Sequence, residues 1–277
     1  MTYNEKMGIV GFVSGLASSL FVWHILPLYG VEFSQRLMGT VVGFVTGFVG
    51  VPFAILYLEY EFSSKKSKQV TPRSKTLDME SSHLHEFSFK DVQNLDRFQR
   101  ISLGINELKA IDLSPLAGST NLTELILYMN RLETIDLSPL ASCPNLEYLD
   151  LADNDLGTID LIPLSSCTKL NALNLGGNMT SEIDLSPLSE CRDLKILTID
   201  CMKLTDVDLS PLSGCRELEF LKLNDNELDS VEVSPLFECD KLDLLEIDGI
   251  DLTTTLNREI VDWPKGVRKH RRRIRKI

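Results

Sequence analysis

Residues 111–254 of this 277-residue chain repeat at a strict interval of 24 residues. Three of the six full units begin with the letters I-D-L-S-P-L and the other three with close variants, and a seventh, degenerate unit precedes them at 87–110. Leu149 and Leu151 alternate as strand residues that face one interior. A unit of this length cannot bury its leucines without neighbours above and below it. The repeat therefore predicts a solenoid of seven stacked units over residues 87–254.

The second half of each unit follows the pattern L-x-x-L-x-L-x-x-N-x-L. The residues that show it in one unit are Leu146, Leu149, Leu151, Asn154 and Leu156. This pattern closely resembles the leucine-rich repeat family, and the resemblance extends over all seven units. It implies an α/β fold in which a parallel β-sheet forms the concave face and short helical or 3₁₀ turns form the convex face.

Polar residues that recur at the same interval are predicted to support the backbone. A buried amide at the turn after each strand would satisfy backbone groups of adjacent coils. This Asn column consists of Asn106, Asn130, Asn154, Asn178 and Asn226, and it lapses at Met202 and Ile250. The Ser and Pro of each I-D-L-S-P-L segment, as in Ser138–Pro139, predict an N-cap followed by the first helical residue.

Cysteine and acidic residues also form columns, but their spacing does not indicate a metal site. The cysteine column lacks C-x-x-C spacing and is interpreted as a row of small interior residues: Cys143, Cys167, Cys191, Cys215 and Cys239. The acidic column lacks the glycine-rich loops of calcium-binding repeats: Asp112, Asp136, Asp160, Asp184, Asp208 and Glu232. We therefore predict no metal ion and no other cofactor.

The N-terminal segment 1–62 is predicted to be a transmembrane hairpin. The stretches 7–28 and 37–58 contain no Asp, Glu, Lys or Arg, and each is 22 residues long. As a helix, such a stretch rises roughly 33 Å, which is enough to span a hydrocarbon core of about 30 Å. Gly39, Gly43 and Gly47 share one face of the second stretch. They favour close helix packing within the hairpin, with homo-oligomerisation through this face as an alternative.

The distribution of basic residues predicts the orientation of the hairpin. Lys65, Lys66 and Lys68 come soon after the second stretch, and short flanks rich in Lys and Arg stay in the cytoplasm. We therefore expect a cell-membrane protein with two spans, with both termini and the repeat domain in the cytoplasm. The three lysines would contact the membrane surface. Residues 63–86, rich in polar residues, are predicted to be a flexible linker.

The C-terminal segment 255–277 is predicted to contain a cap for the solenoid and a basic tail. Residues 87–254 carry 12 basic and 31 acidic residues, a net charge of 12 − 31 = −19, whereas 255–277 carry 9 basic and 2 acidic residues, or +7. Arg271, Arg272 and Arg273 are predicted to contact anionic membrane lipids. An intramolecular cover over the acidic solenoid and a nucleic-acid contact are the alternatives.

Alternation along the strands places aromatic, aliphatic and acidic residues together on the concave face. The predicted protein-binding residues are Ile126, Tyr128, Met129, Tyr148, Asp150, Ile196, Asp200, Phe220, Lys222 and Leu244. Aligned apolar side chains inside an acidic border are typical of a surface that binds protein, and the charge favours a basic partner over nucleic acid. Cys201 is expected at the concave edge, within reach of solvent.

No nucleotide-binding glycine loop, H-E-x-x-H or G-x-S-x-G motif occurs in the sequence, so catalysis is not expected. The sequence favours a membrane-anchored, non-enzymatic scaffold or adaptor whose cytoplasmic repeat domain binds a protein partner. Two alternatives remain at this point. One is an extracellular receptor or adhesion module, and the other is a regulator of a basic partner enzyme.

Overall fold

The computed structural model describes residues 74–256 and 263–277. Within these ranges, eight short strands form one parallel sheet in the order β1-β2-β3-β4-β5-β6-β7-β9. The strands are β1 (Thr76–Asp78), β2 (Arg100–Ser102), β3 (Glu124–Ile126), β4 (Tyr148–Asp150), β5 (Ala172–Asn174), β6 (Ile196–Thr198), β7 (Phe220–Lys222) and β9 (Leu244–Glu246). Neighbouring strands pair with a register of one repeat, as Tyr148 faces Ala172. The parallel solenoid that the repeat implies is confirmed.

The leucines of successive coils meet in one continuous core. The central residue of each inner strand, such as Leu149 or Leu173, is fully buried. The core continues from Leu77 in the first strand to Val267 near the C-terminus. Because parallel strands lie about 4.8 Å apart, each side chain stacks on the equivalent side chain of the next coil. Burial of one coil therefore depends on its neighbours.

The convex side consists of short 3₁₀ turns, as expected. Those that begin at the I-D-L-S-P-L segments are Ser114–Leu116, Ser138–Ser142, Ile162–Ser166, Ser186–Glu190, Ser210–Gly214 and Ser234–Glu238. The predicted Ser N-cap is wrong, because Leu137 holds the cap position and the Asp136 carboxylate accepts the N–H of Ser138 at 2.9 Å. The Ser138 side chain and its backbone N–H, as hydrogen-bond donors, together lower the pKa of Asp136. The acidic column thus supports the turns of the convex face.

The Asn column is confirmed as a hydrogen-bonded ladder between coils. The Asn154 amide nitrogen donates to the carbonyl oxygens of Leu127 at 3.1 Å and Leu151 at 3.0 Å. Its amide oxygen accepts the N–H of Leu132 at 3.1 Å. Each amide therefore satisfies main-chain groups of its own coil and of the preceding one, where buried polar atoms need partners.

A second, smaller sheet lies at the C-terminal end of the array. Its strands are β8 (Ser230–Glu232), β10 (Asp251–Thr254) and β11 (Ile274–Lys276), which are parallel in the order β11-β10-β8. The helix α1 (Lys265–Arg268) precedes β11 and packs against β9. Residues 263–277, which belong to the segment predicted as a cap and a basic tail, are therefore folded onto the last coil.

The structure differs from the predicted domain boundary at the N-terminal side of the array. Residues 74–86 were expected in a flexible linker, but they contain β1, which pairs with β2. Within 74–256 and 263–277, no helix has the length and apolar character to cross a bilayer. The predicted spans 7–28 and 37–58, with Gly39, Gly43 and Gly47, lie outside the described residues.

Candidate functional site

The concave face presents the first residue of each strand in one row. By the register of the sheet this row runs Arg100, Glu124, Tyr148, Ala172, Ile196, Phe220 and Leu244. All of them except Ala172 keep part of their surface exposed. The row has the register predicted from strand alternation, and it changes from a charged end to an apolar end.

The apolar part of this row consists of four predicted binding residues. Tyr148, Ile196, Phe220 and Leu244 are each partly exposed and lie on β4, β6, β7 and β9. The Tyr148 hydroxyl donates to the Asp150 carboxylate at 2.6 Å, which holds the ring along the sheet. We call these four residues the apolar row.

Four predicted contact residues offer almost no surface to a partner. Ile126 is 1% exposed, Tyr128 8%, Asp150 3% and Asp200 7%. The Tyr128 ring covers Gly104, where an added Cβ would lie 2.5 Å from the ring. These side chains are covered by neighbouring residues of the array. Strand alternation does not predict this burial.

Charged residues around the apolar row form ion pairs between coils. Arg100 pairs with Glu124 at 2.7 Å, and Lys222 pairs with Asp200 at 2.8 Å. Burial opposes the charge on Lys222, but the Asp200 carboxylate outweighs it and raises the pKa of the lysine. Sequence reasoning missed these pairs. Opposite charges one repeat apart, as in Arg100 and Glu124, were a usable signal.

Carboxylates crowd together at the edge of the concave face. Burial raises the pKa of Asp150 to about 6, although the Tyr148 hydroxyl donates to it. Burial and the nearby Asp200 carboxylate raise the pKa of Asp153. The Asp153 and Asp200 carboxylates occupy the space that side chains would fill at Gly177 and Gly176. A positive group from a partner would relieve this repulsion.

The turns after β2 to β7 of the main sheet each contain a residue in the left-handed backbone conformation. Met129, a predicted contact residue, has a φ of 51° and Cys201 a φ of 50°. The Met129 N–H donates to the Ala152 carbonyl of the next coil at 2.9 Å, which holds the turn in place. Cys201 is exposed, but burial of its thiol and the Asp200 and Asp225 carboxylates raise its pKa to about 12. This thiol is therefore a poor nucleophile.

The cysteine column points into the core, as predicted. The thiols of Cys143, Cys167, Cys191, Cys215 and Cys239 donate to leucine carbonyls of the preceding coil at 3.3 to 3.6 Å. Across the part of the chain that the structure describes, no group of three or more His, Cys, Asp or Glu side chains is arranged to hold a metal ion. The column therefore contributes to packing and hydrogen bonding.

Arg273 does not have the exposed position that a membrane-surface contact requires. Its guanidinium donates to the carbonyl oxygens of Ile250 at 2.8 Å, Ile247 at 3.5 Å and Asp248. The prediction for this residue is wrong because the last coil has no following Asn to satisfy these carbonyls. Arg271 and Arg272 are exposed.

His270 and Lys269 complete the contacts of the C-terminal segment with the last strand. The His270 Nε2 lies 2.9 Å from the Leu245 carbonyl oxygen, and its Nδ1 lies 3.1 Å from the Arg273 guanidinium. The Lys269 ammonium donates to the Asp243 carbonyl at 3.0 Å. Of the alternatives for the basic tail, the intramolecular role is therefore the one that these residues adopt.

Two family models match the repeat region. Residues 120–179 match a model described as leucine rich repeat. Residues 164–253 match a model described as BspA type leucine rich repeat region (6 copies). No curated protein matches the chain.

Solved structures with the same architecture support these matches. The internalin InlF of Listeria monocytogenes is 28% identical over 61% of this chain and 46% of its own, with a TM-score of 0.51. The plant peptide hormone receptor RGFR1, solved in complex with RGF2, is 25% identical over 57% of this chain and 26% of its own, with a TM-score of 0.52. TLR13, solved in complex with ssRNA13, is 25% identical over 58% of this chain and 24% of its own, with a TM-score of 0.51. The match spans less than half of each of these proteins.

Proposed function

Since the repeat array of this chain is a leucine-rich repeat domain, we propose that the protein is a membrane-anchored, non-enzymatic scaffold or adaptor. It binds a protein partner with the concave face of the array. The observation that carries this proposal is the apolar row, four partly exposed side chains in register on a rigid sheet. Aromatic anchors on a rigid element are what dominate the binding energy of protein interfaces.

The proposed partner presents a basic or mixed basic and apolar surface. Asp153 and Asp225 are exposed beside the apolar row, and the domain as a whole is strongly acidic. Such a field speeds the association of a positive partner and repels phosphates. RGFR1 is a plant peptide hormone receptor, and the proposal extends a protein or peptide partner to the present chain.

The proposed anchor is the pair of apolar stretches 7–28 and 37–58. Their length fits two membrane spans, and the basic residues after the second stretch favour a cytoplasmic repeat domain. Arg271 and Arg272 are exposed on the folded C-terminal segment, where they are free of the carbonyl contacts that hold Arg273. They remain candidates for contact with anionic lipid.

A double substitution tests the binding face. Tyr148→Asp with Phe220→Asp places two charges in the apolar row. Loss of two anchor residues is expected to weaken binding of a partner, identified from detergent-solubilised membranes and then purified, by a factor of at least ~30. Unchanged affinity in the folded variant would remove the concave face from the proposal.

The matched control uses two exposed apolar residues outside the apolar row. Ile162 is 65% exposed in a convex 3₁₀ turn, and Met179 is 52% exposed. Ile162→Asp with Met179→Asp adds the same charge and removes the same class of side chain. This variant is expected to bind like the wild type, with thermal unfolding confirming that both variants are folded.

Topology needs a separate measurement. The native Cys201 thiol is a poor reporter because of its raised pKa, so an exposed cysteine introduced by Lys195→Cys is preferable. A membrane-impermeant maleimide is expected to label this cysteine only after the cells are permeabilised. Labelling in intact cells would instead support the extracellular receptor or adhesion module.

A further inference from the structure

The folded C-terminal segment gives an otherwise acidic domain one strongly basic surface. Residues 263–277 contain eight Lys and Arg residues and no Asp or Glu. In the turn before β11, the Arg273 guanidinium donates to carbonyls of the last coil, and the Arg273 N–H donates to the His270 carbonyl at 2.8 Å. The same turn leaves Arg271 and Arg272 exposed. The segment therefore holds two free guanidinium groups in a defined place at the C-terminal end of the array.

The concave face has the opposite charge. Asp153 and Asp225 are exposed beside the apolar row. The carboxylates of Asp153 and Asp200, from coils on either side, occupy the space above Gly177 and Gly176. A guanidinium placed there would offset the repulsion between these carboxylates. The kind of partner that the concave face requires, basic and able to cover apolar side chains, is thus present on this chain itself.

One copy of the chain cannot bring these two surfaces together. Asp153 follows β4, whereas the C-terminal segment packs on the coil of β9. Four strand spacings of about 4.8 Å, or roughly 19 Å, separate the two coils. The Gly266 N–H donates to the Leu242 carbonyl at 2.8 Å and the Lys269 ammonium to the Asp243 carbonyl at 3.0 Å, which keeps the segment on the last coil.

We propose that the concave face binds residues 263–277 of a second copy of this chain. The inference rests on the proposed function, because it names the occupant of the same face. Arg271 and Arg272 of the second copy lie against Asp153 and Asp225, and the aliphatic stems of these arginines cover the apolar row. Eight strands form an arc of about 34 Å, which is wide enough for a helical turn of about 10 Å and its adjoining strand.

Both surfaces exist before the copies meet, so association requires little ordering and loses little entropy. Arg273 of the second copy stays on its own last coil, and only the outward residues of the turn take part. Each copy carries one face and one basic segment. The chain is therefore a scaffold that assembles with itself, and any other basic partner has to displace a bound copy from the concave face.

Association between nanodiscs tests the proposal with the full chain. Discs of phosphatidylcholine, which has no net charge, each hold one copy, and two populations carry different fluorophores. Copies in separate discs cannot associate through membrane spans. Wild-type copies are expected to associate, and less so at high salt. Arg271→Glu with Arg272→Glu should weaken this association at least ~10-fold, because it places carboxylates against carboxylates.

Reversing the charge of the face provides the matching variant. Asp153→Lys with Asp225→Lys should also prevent self-association. When discs of this variant are mixed with discs of the Arg271→Glu, Arg272→Glu variant, every face meets a segment of opposite sign and association should return. Asp153→Asn with Asp225→Asn removes the charges but suits the left-handed turns, so it serves as a second face variant and should weaken association.

A control separates this contact from a general effect of charge. Lys195→Glu with Lys203→Glu makes the same charge change at exposed lysines of inner coils. This variant is expected to associate like the wild type. Thermal unfolding of each variant checks that it is folded.

Several results would overturn the inference. Wild-type copies could fail to associate at roughly 100 μM, or the mixture of the two charge variants could stay apart. Association that appears only with anionic lipid in the discs would assign the arginines to headgroups.

The inference and the proposed function can fail separately. If wild-type copies do not associate but Tyr148→Asp with Phe220→Asp releases a purified partner protein, only the inference fails. If that variant keeps both the partner protein and the second copy bound, the concave face fails as a binding surface.

Discussion

The two ends of the repeat array contain the same kind of aromatic pair but differ in how the end coil is covered. Phe87 and Phe89 meet edge to face at 5.0 Å near the N-terminal end, and Phe237 and Trp263 do so at 4.9 Å near the C-terminal end. At the C-terminal end, the guanidinium of Arg273 also satisfies the last carbonyls. At the N-terminal end, the described residues leave a groove of about 720 Å³ whose lining includes Leu77, Met79 and Phe87. Each inner coil packs against a coil on both sides, whereas an end coil has a neighbour on one side only. The outer surface of each end coil therefore needs other contacts.

The largest expected effect tests the role of Arg273. Arg273→Ala leaves several carbonyls of the last coil without a charged donor. We expect it to lower the local stability of 263–277 by about 2–4 kcal/mol, measured by native-state hydrogen exchange. Arg272→Ala removes an exposed arginine next to it and should change stability by less than about 0.5 kcal/mol. Equal effects of the two variants would refute the capping role of Arg273.

A second prediction compares the aromatic pairs. Both Trp263 and Phe87 are partly buried, and truncation of either to Ala should cost about 1–3 kcal/mol of local stability at its own end. Native-state hydrogen exchange of each variant measures this loss at the end that carries the substitution. A loss that spreads equally to both ends for either variant would contradict the prediction.

The third prediction concerns pH at the C-terminal end. Burial lowers the pKa of His270, and the positive charges of Arg273 and Lys269 act in the same direction although the Leu245 carbonyl opposes them. As pH falls from 7.5 through the unfolded value of ~6.5 to 5.5, the unfolded segment binds more protons than the folded one, so stability falls. Protection of 263–277 should decrease over this range.

His270→Gln is the control for this pH dependence. Its amide N–H donates to a carbonyl without titrating, so the variant should keep a flat profile between pH 7.5 and 5.5. A profile as steep as that of the wild type would assign the loss to other groups. The histidines at the N-terminal end, His83 and His85, are exposed and are not part of the core.

The smallest effects are expected from exposed ion pairs, which both ends possess. Arg275 pairs with Asp251 at 3.2 Å and Lys90 with Asp112 at 3.1 Å, and all four side chains are more than half exposed. Arg275→Gln and Lys90→Gln should each cost less than about 1 kcal/mol, because solvent and salt screen such pairs. A loss of stability above about 1 kcal/mol at one end only would show that the ion pair there is stronger than exposed pairs usually are.

The inner coils could be predicted from sequence because each repeats the same local environment. Asn154 and Cys143 recur at fixed positions, and the structure places both as their columns indicate. The concave row followed from the period of a strand. The burial of Tyr128 and Asp200 could not be predicted in this way. It depends on the residues of adjacent coils. Gly104 and Gly176 have no side chain, and the Tyr128 ring and the Asp200 carboxylate occupy the space that is left.

The sequence by itself determined the repeat length, the strand register and the solenoid, since a strict 24-residue period places equivalent residues on top of one another. Only the tertiary structure decided that β1 belongs to the sheet and that Arg273 acts inside the protein. The physical reason is that the end coils lack a neighbour on one side. At the C-terminal end, backbone carbonyls and apolar surface are contacted by residues 263–277, which lie outside the repeats. Because this segment has no position in the repeat, the repeat pattern cannot predict its contacts.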